Sequence, residues 1–190
     1  MRTFIAIELP PDIKESLGKL QAGLKQTGAD VKWVNPDNIH LTLKFLGEVD
    51  DKKIIEIENI LGEVAKSSKS FYINPCSIGV FPKIEFPKVI WIGIDKGDSE
   101  TKVIAGKLEQ SLAQIGIPKE DRPFSSHITI GRTKSFLKRD KLIQELKNLE
   151  GKIAGKFREF PVTKLTLFKS TLTPKGPIYE ILSHTELKQI

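Results

Sequence analysis

Two short segments of the sequence carry the same pair of polar side chains, a histidine followed two residues later by a threonine. They are His40-Leu41-Thr42-Leu43 and His127-Ile128-Thr129-Ile130. In an extended strand, each histidine shares one face with its threonine, roughly 7 Å away, while the aliphatic neighbours occupy the other face. Imidazole accepts or donates a proton near neutral pH, so the two segments predict paired general acid–base catalysis.

A phosphodiester suits such a pair because its cleavage needs one group to deprotonate the nucleophile and another to protonate the leaving oxygen. The hydroxyls of Thr42 and Thr129 could donate hydrogen bonds to the phosphate oxygens on which charge builds. A single histidine on a strand is usually structural, but core packing gives no reason for His and Thr to recur together. His184 has no threonine two residues on and is predicted to be a surface or strand-end residue.

The histidines do not have metal-ligand spacing. Neither His-x-His nor His-Glu-x-x-His occurs, and Cys76 is the only cysteine, so no zinc site is predicted. We therefore expect neither a metal nor another cofactor. A single cysteine also excludes a disulfide framework and indicates a reducing compartment.

Composition and charge indicate a folded domain with an anionic partner. The 190 residues are 39% hydrophobic and 28% charged, with a formal net charge of +6. Much of the charge lies on predicted helix surfaces, but beside a histidine pair it favours a phosphate-bearing ligand. The sequence has neither a signal-peptide pattern nor an apolar stretch long enough to cross a membrane, so we expect a cytoplasmic protein without membrane partners.

The order of predicted elements repeats along the chain. Strand, helix, motif strand and helix occur once in residues 1–87 and again in residues 88–190, which predicts one bilobal domain with an internal duplication. The turn Asn35-Pro36-Asp37-Asn38 leads into the first motif strand, and Asp50 or Asp51 is predicted to cap the following helix. Short strands mixed with helices indicate an α+β fold with mainly antiparallel sheet; strands are predicted near residues 2–8, 31–34, 70–80, 88–95, 162–170 and 177–184.

These motifs, in this order, resemble the two-histidine (2H) phosphoesterase superfamily. Within it the chain is most similar to the bacterial and archaeal RNA 2′,3′-cyclic phosphodiesterases, historically called 2′-5′ RNA ligases. The resemblance implies two pseudo-symmetric lobes of mainly antiparallel sheet, with flanking helices, around a central cleft. The residues that carry it run from end to end: Arg2-Thr3-Phe4-Ile5-Ala6-Ile7, Leu9-Pro10, Trp33, His40 to Gly47, Phe81-Pro82, Val89-Ile90-Trp91, Arg122-Pro123-Phe124, His127 to Arg132, Ser170 and Gly176-Pro177-Ile178-Tyr179.

The resemblance also implies an activity and a role for each matching residue. The reaction is metal-independent hydrolysis of a terminal 2′,3′-cyclic phosphate to a 2′-phosphomonoester. His127 would be the general base and His40 the general acid, while Thr42 and Thr129 would hold the phosphate oxygens and Arg132 would contact the phosphate or nucleotide. The expected partners are RNA ends or nucleotides that bear a 2′,3′-cyclic phosphate. No obligate protein partner is apparent, and we expect a monomer.

Phe45 and Phe81 are candidates to stack on a terminal base, although core packing is the more frequent role of such residues. Ser125-Ser126 stand where many relatives have a basic residue and a proline. This chain therefore lacks the contribution that such a basic residue makes to nucleotide binding. Two alternatives stay open. One is another enzyme on the same site, a 2′-5′ RNA ligase or a hydrolase of small cyclic phosphates; the other is a non-catalytic module that binds RNA ends.

Overall fold

Helices and strands alternate along the chain in the computed structural model, which describes residues 1–174 and 176–189. Lys175 and Ile190 lie outside the described residues. Both belong to the predicted second repeat, and Ile190 is its last residue. The elements are β1 (Arg2–Glu8), α1 (Pro11–Lys25), β2 (Val31–Trp33), β3 (His40–Glu48), α2 (Asp51–Lys66), β4 (Phe71–Ile73), β5 (Pro75–Lys83), β6 (Phe86–Ile94), α3 (Asp98–Gln114), β7 (His127–Thr133), α4 (Arg139–Leu149), β8 (Phe160–Val162), β9 (Lys164–Thr173) and β10 (Gly176–Glu186).

One large sheet runs through the molecule in the order β10-β9-β1-β3-β7-β6-β5, and β2 pairs with β7 beside this path. Neighbouring strands of this sheet pair antiparallel, as do β4 and β8 in a separate two-stranded sheet. The prediction of a mainly antiparallel α+β fold is therefore confirmed.

The helices cover one face of the large sheet. Their apolar residues, such as Leu17, Ile57 and Leu108, form one core with Leu41 and Ile128 of the motif strands. This is the aliphatic face predicted from alternation along the motif strands. The histidines project from the other face.

None of the helices within residues 1–174 and 176–189 is long and apolar enough to cross a membrane.

Strands from the two predicted repeats are exchanged between the two sides of the sheet. β2 and β5 precede residue 87, yet they pair with β7 and β6. Conversely, β9 comes from the second half of the sequence and pairs with β1. The spatial halves are thus β10-β9-β1-β3 and β7-β6-β5 with β2, and they meet between β3 and β7. The duplication into residues 1–87 and 88–190 stays a prediction.

Most predicted elements form where expected, with two differences at strand ends. The strand predicted near 70–80 is divided into β4 and β5, because the backbone of Asn74 bonds to residues 95 and 96 instead of continuing the ladder. The strand predicted near 162–170 is likewise preceded by the separate β8, which pairs with β4. Asp50 is the N-cap of α2, and its side chain accepts a hydrogen bond from the backbone nitrogen of Lys53 at 2.8 Å.

Candidate active site

The two histidine motifs lie side by side on neighbouring strands. Leu41 of β3 pairs with Ile128 of β7 in antiparallel register. One residue to either side of this pair, antiparallel geometry sets His40 opposite Thr129 and Thr42 opposite His127, with Cβ atoms about 5 Å apart. All of these polar side chains are half-buried and lie on the sheet face opposite the helices. The motifs therefore form one group in the centre of the sheet.

Both imidazole rings are held in the same way. Nδ1 of His40 lies 2.8 Å from the carbonyl oxygen of Asn38, and Nδ1 of His127 lies 2.7 Å from that of Ser125. A carbonyl oxygen only accepts, so the hydrogen of each neutral ring is assigned to Nδ1, and Nε2 is left for chemistry. Nε2 of His40 lies 3.0 Å from the hydroxyl oxygen of Thr42.

Aromatic rings enclose each histidine from different elements. The His40 ring stacks on Phe4 with 4.8 Å between centroids and meets Tyr179 edge-on at 5.4 Å. Phe4 belongs to a small apolar cluster with Ala6, Phe168 and Tyr179 on this face of the sheet. The His127 ring meets Phe81 edge-on at 5.1 Å, with Trp91 further away at 6.5 Å.

Burial lowers the pKa of both histidines. It lowers the pKa of His40 to about 4; the Asn38 carbonyl raises it in part, and the charge of Lys14 lowers it further. The pKa of His127 is also lowered, first by burial, opposed by the Ser125 carbonyl, and then by the charge of Arg132. In the ligand-free protein, both imidazoles are therefore neutral at pH 7.

Each motif strand contains one extra residue directly after its threonine. On β3, Thr42 pairs with Ala6 and Lys44 with Ile5, so Leu43 is the extra residue of a β-bulge. On β7, Ile130 is the extra residue between the partners of Trp91 and Ile90. Because a bulge shifts the alternation by one position, the third residue after each threonine returns to the histidine face.

The residues returned to this face are Phe45 and Arg132. Phe45 pairs with Phe4, has its ring 6.2 Å from that of Phe4, and is 55% exposed, so it does not belong to the core. Arg132 is exposed and lies opposite Lys32 of β2 and Val89 of β6. The bulges thus put an aromatic ring beside one motif and a guanidinium beside the other.

The same bulge turns Lys44 inward, where it is 3% exposed. Its Nζ donates to the carbonyl of Pro118 at 2.7 Å and lies 2.8 Å from a carboxylate oxygen of Glu109 on α3. A buried ammonium requires such partners. Lys44 therefore ties the motif strand to the helix layer.

Two glycines make room for the Trp91 indole on the second side of the site. A Cβ atom on Gly79 would lie 2.3 Å from the Trp91 ring, and one on Gly93 would lie 3.0 Å from that ring and 2.4 Å from the Ser77 hydroxyl. Gly93 pairs with His127, so this flat surface adjoins the second histidine.

The structure brings together His40, Thr42, His127 and Thr129, with Phe45 and Arg132 on the same face, whereas His184 has another environment. His184 lies within β10, and its Nε2 is 2.8 Å from a carboxylate oxygen of Glu8. His184 is exposed, as expected of a surface residue, but it lies within β10 and not at a strand end. Phe81 packs on His127 and Trp91.

Sequence reasoning missed Phe4, Tyr179, Asn38 and the Ser125 carbonyl as parts of the site. Contacts that join distant residues, such as Tyr179 with His40, leave no local signal in one sequence. Within residues 1–174 and 176–189, no three His, Cys, Asp or Glu side chains cluster closely enough to hold a metal ion.

Known proteins are similar to this chain over nearly its whole length. The sequence matches the LigT-like phosphoesterases in two consecutive segments, residues 7–91 and 92–179. It is 38% identical over 185 residues to the RNA 2′,3′-cyclic phosphodiesterase of Methanocaldococcus jannaschii, covering 96% of this chain and 98% of the relative.

Solved structures show that the fold is similar as well. TT0787 of Thermus thermophilus superimposes with a TM-score of 0.80 at 26% identity, covering 100% of this chain and 99% of the other. E. coli LigT complexed with 3′-AMP gives 0.80 at 26% identity, covering 99% and 98% of the two chains. The chain belongs to the family of LigT-like phosphoesterases of the two-histidine superfamily.

Proposed function

We propose that the protein hydrolyses the 2′,3′-cyclic phosphate at an RNA or nucleotide end to a 2′-phosphomonoester, through general acid–base catalysis by His40 and His127. The observation that carries the proposal is the matched pair of imidazoles on adjacent strands, each with Nδ1 bound to a backbone carbonyl. Family membership and the RNA 2′,3′-cyclic phosphodiesterase relatives support this substrate.

The proposed step needs one proton removed and one delivered. Nε2 of His127 accepts a proton from water while the water oxygen attacks phosphorus. The bond from phosphorus to the 3′ oxygen breaks, and Nε2 of His40 donates its proton to that oxygen. The product carries the phosphate on the 2′ oxygen, and the two histidines exchange protons with solvent before the next turnover.

His40 must be protonated to act as the acid, yet burial keeps it neutral in the free protein. The bound phosphate anion supplies the missing stabilisation, because a negative charge at hydrogen-bond distance favours imidazolium and raises its pKa. Protonation of His40 is then linked to substrate binding. An empty site carries little of the acid form at neutral pH.

The remaining candidate side chains act on the phosphate and the base. The hydroxyls of Thr42 and Thr129 donate to the non-bridging oxygens, and Arg132 adds a charge-assisted hydrogen bond. Phe45 offers an exposed ring to the terminal base. We further propose that the protein works as a cytoplasmic monomer and needs no metal ion.

A short RNA ending in a 2′,3′-cyclic phosphate, incubated in EDTA with wild type and with His40→Ala, tests the proposal. We expect a 2′-phosphate from the wild type only. Loss of turnover that Mg²⁺ or Zn²⁺ restores would contradict metal independence. Tight binding without turnover would indicate an RNA-end binding module. Turnover of free cyclic nucleotides alone, or joining of added 5′-hydroxyl RNA, would indicate one of the alternative enzymes.

A further inference from the structure

The end of the β9–β10 hairpin bends over the face of the sheet that carries the histidines. In a flat sheet, three strand spacings, about 14 Å, would separate β10 from β3. Yet the Tyr179 ring on β10 is 5.4 Å from the His40 ring and 5.0 Å from Phe4. The hairpin therefore reaches across β1 and forms a wall over the first motif.

A single residue joins this hairpin to the first histidine. The side-chain Nδ2 of Asn38 donates a hydrogen bond to the carbonyl oxygen of Pro177 at 3.0 Å. The backbone carbonyl of the same residue lies 2.8 Å from Nδ1 of His40. Asn38 thus contacts the hairpin with one end and the imidazole with the other.

The second motif is built differently at this point. Ser125 supplies the equivalent carbonyl to His127, at 2.7 Å, but its side chain is exposed and too short to span a comparable gap. The rings around His127 come from Phe81 and Trp91 on the neighbouring strands β5 and β6. Fastening by a distant hairpin therefore distinguishes His40 from its pseudo-symmetric counterpart.

We propose that Asn38 is a positioning residue that fastens the β9–β10 hairpin over His40 and so sets the orientation and solvation of this imidazole. The inference rests on the proposed function only where it assigns His40 the role of general acid. With the hairpin fastened, Tyr179 excludes water from one edge of the ring. With the hairpin released, that edge is open to solvent.

The charged groups around His40 do not depend on this contact. The charge of Lys14 on α1 lowers the pKa of His40. The Lys14 Nζ donates a hydrogen bond to the carbonyl oxygen of Asp37 at 2.6 Å. Burial raises the pKa of Tyr179, and the charges of Arg132 on β7 and Arg2 on β1 lower it in part. Replacing Asn38 therefore changes the solvation of His40 while these charges stay in place.

Asn38→Ala tests the proposal because it removes the amide and keeps the backbone carbonyl. By NMR, we expect a contact between the rings of Tyr179 and His40 in the wild type that weakens in the variant. The His40 pKa should rise from about 4 towards its ordinary value in the variant. We also expect kcat to fall roughly 3- to 10-fold, the scale of one lost hydrogen bond, with a smaller change in KM.

Two further variants complete the test. Asn38→Leu keeps about the size of the side chain, adds no charge and cannot donate to Pro177, so it should reproduce the alanine variant even if that variant folds poorly. Asn74→Ala is the matched control, since it removes an asparagine that bonds to Asp95 at 2.9 Å on another part of the surface. It should leave both the His40 titration and kcat unchanged.

The results separate the two proposals. A lower melting temperature in both Asn38 variants, with an unchanged ring contact and His40 titration, would make Asn38 merely structural and overturn the inference. The titration and the ring contact need no turnover, so they remain informative if the wild type fails to hydrolyse cyclic phosphate. That failure would contradict the proposed function alone.

Discussion

Leu41 and Ile128 face each other across β3 and β7, at the point where the two sides of the large sheet meet. Neither side chain takes part in chemistry, since both are fully buried in the core. Their pairing nevertheless fixes the register that sets each histidine opposite the threonine of the other motif. A shift of one residue would turn one motif towards the core.

Replacing either histidine should abolish most of the activity. We expect His40→Ala and His127→Ala each to lower kcat by at least about 10²-fold, the usual scale for general acid–base catalysis. Single-turnover rates with a cyclic-phosphate RNA check this. Near-normal turnover in either variant would remove that histidine from the mechanism.

A sulfur leaving group distinguishes the acid from the base. If the 3′ bridging oxygen is replaced by sulfur, the thiolate leaves without protonation, because a thiol is far more acidic than an alcohol. His40→Ala should then regain most of its lost rate, whereas His127→Ala should not. Rescue of the His127 variant instead would exchange the two roles.

The pH optimum of kcat/KM should be acidic. The base, His127, works above its pKa, and the acid, His40, works below its pKa of about 4 in the free protein. Since kcat/KM reports the free protein, its bell-shaped profile should peak below pH 6.5 and fall as pH rises. Bound phosphate raises both pKa values, so the profile of kcat should lie at higher pH. A profile with a single sigmoidal step would contradict this expectation, because it would indicate that only one group titrates.

Lys14→Met offers an independent check on which limb of the kcat/KM profile belongs to His40. The charge of Lys14 lowers the pKa of His40, so its removal should move the limb of His40 to higher pH while the limb of His127 stays in place. Lys19→Met, on the same helix but paired with Glu15 at 2.7 Å, is the control and should leave both limbs in place. A shift in the control alone would contradict the assignment.

Arg132 should matter for binding. Loss of a charge-assisted hydrogen bond costs about 1.5–3 kcal/mol, so Arg132→Ala should raise KM by roughly 10- to 100-fold. It should also raise the pKa of His127, because the arginine charge lowers it. Lys32→Ala, opposite Arg132 on β2, is the matched control, with an expected change in KM of a few-fold at most.

Phe45 should contribute to binding but little to stability. Its ring is 55% exposed, so Phe45→Ala should leave the melting temperature nearly unchanged. A lost base–aromatic contact costs about 1–3 kcal/mol, which predicts a KM about 5- to 100-fold higher for cyclic-phosphate RNA. Phe86→Ala removes a ring of similar exposure, 46%, on the β5–β6 hairpin and is the control. Equal effects of the two variants would refute stacking on Phe45.

Lys44 should be needed for stability. Lys44→Ala leaves the Glu109 carboxylate, 25% exposed, without its ion-pair partner, which should lower the free energy of unfolding by about 3 kcal/mol. Lys102→Ala breaks an exposed pair with Asp98 and should cost less than about 1 kcal/mol. Urea denaturation measures both. Similar small losses from both variants would indicate that the ion pair of Lys44 with Glu109 does not stabilise the protein.

The sequence was sufficient for the fold class and for the grouping of four polar side chains, because strand alternation and repetition are local patterns. Alternation alone could not predict that Phe45 and Arg132 share the histidine face, although both were candidate binding residues. Strict alternation assigns both to the core side, and only the bulges at Leu43 and Ile130 return them. A bulge depends on pairing with a neighbouring strand, so one strand's sequence does not reveal it.

The walls of the site were also beyond sequence reasoning. Phe4 and Tyr179 lie at opposite ends of the chain, and both contact the His40 ring. The bend of the β9–β10 hairpin that brings them together follows from tertiary packing. The aliphatic face of β3, by contrast, was predictable, since Ile39, Leu41 and Leu43 are buried as their alternation indicates.

The exchange of strands between the two sides of the sheet has a consequence for how the protein folds. β1 leaves the ribosome long before β9, yet the two strands are neighbours in the sheet. Contacts between such distant segments form slowly and late. A chain still emerging therefore has both Phe4 and His40 but no Tyr179 beside them. The aromatic wall beside His40 is therefore completed only after the β9–β10 hairpin has been synthesised and has paired with β1.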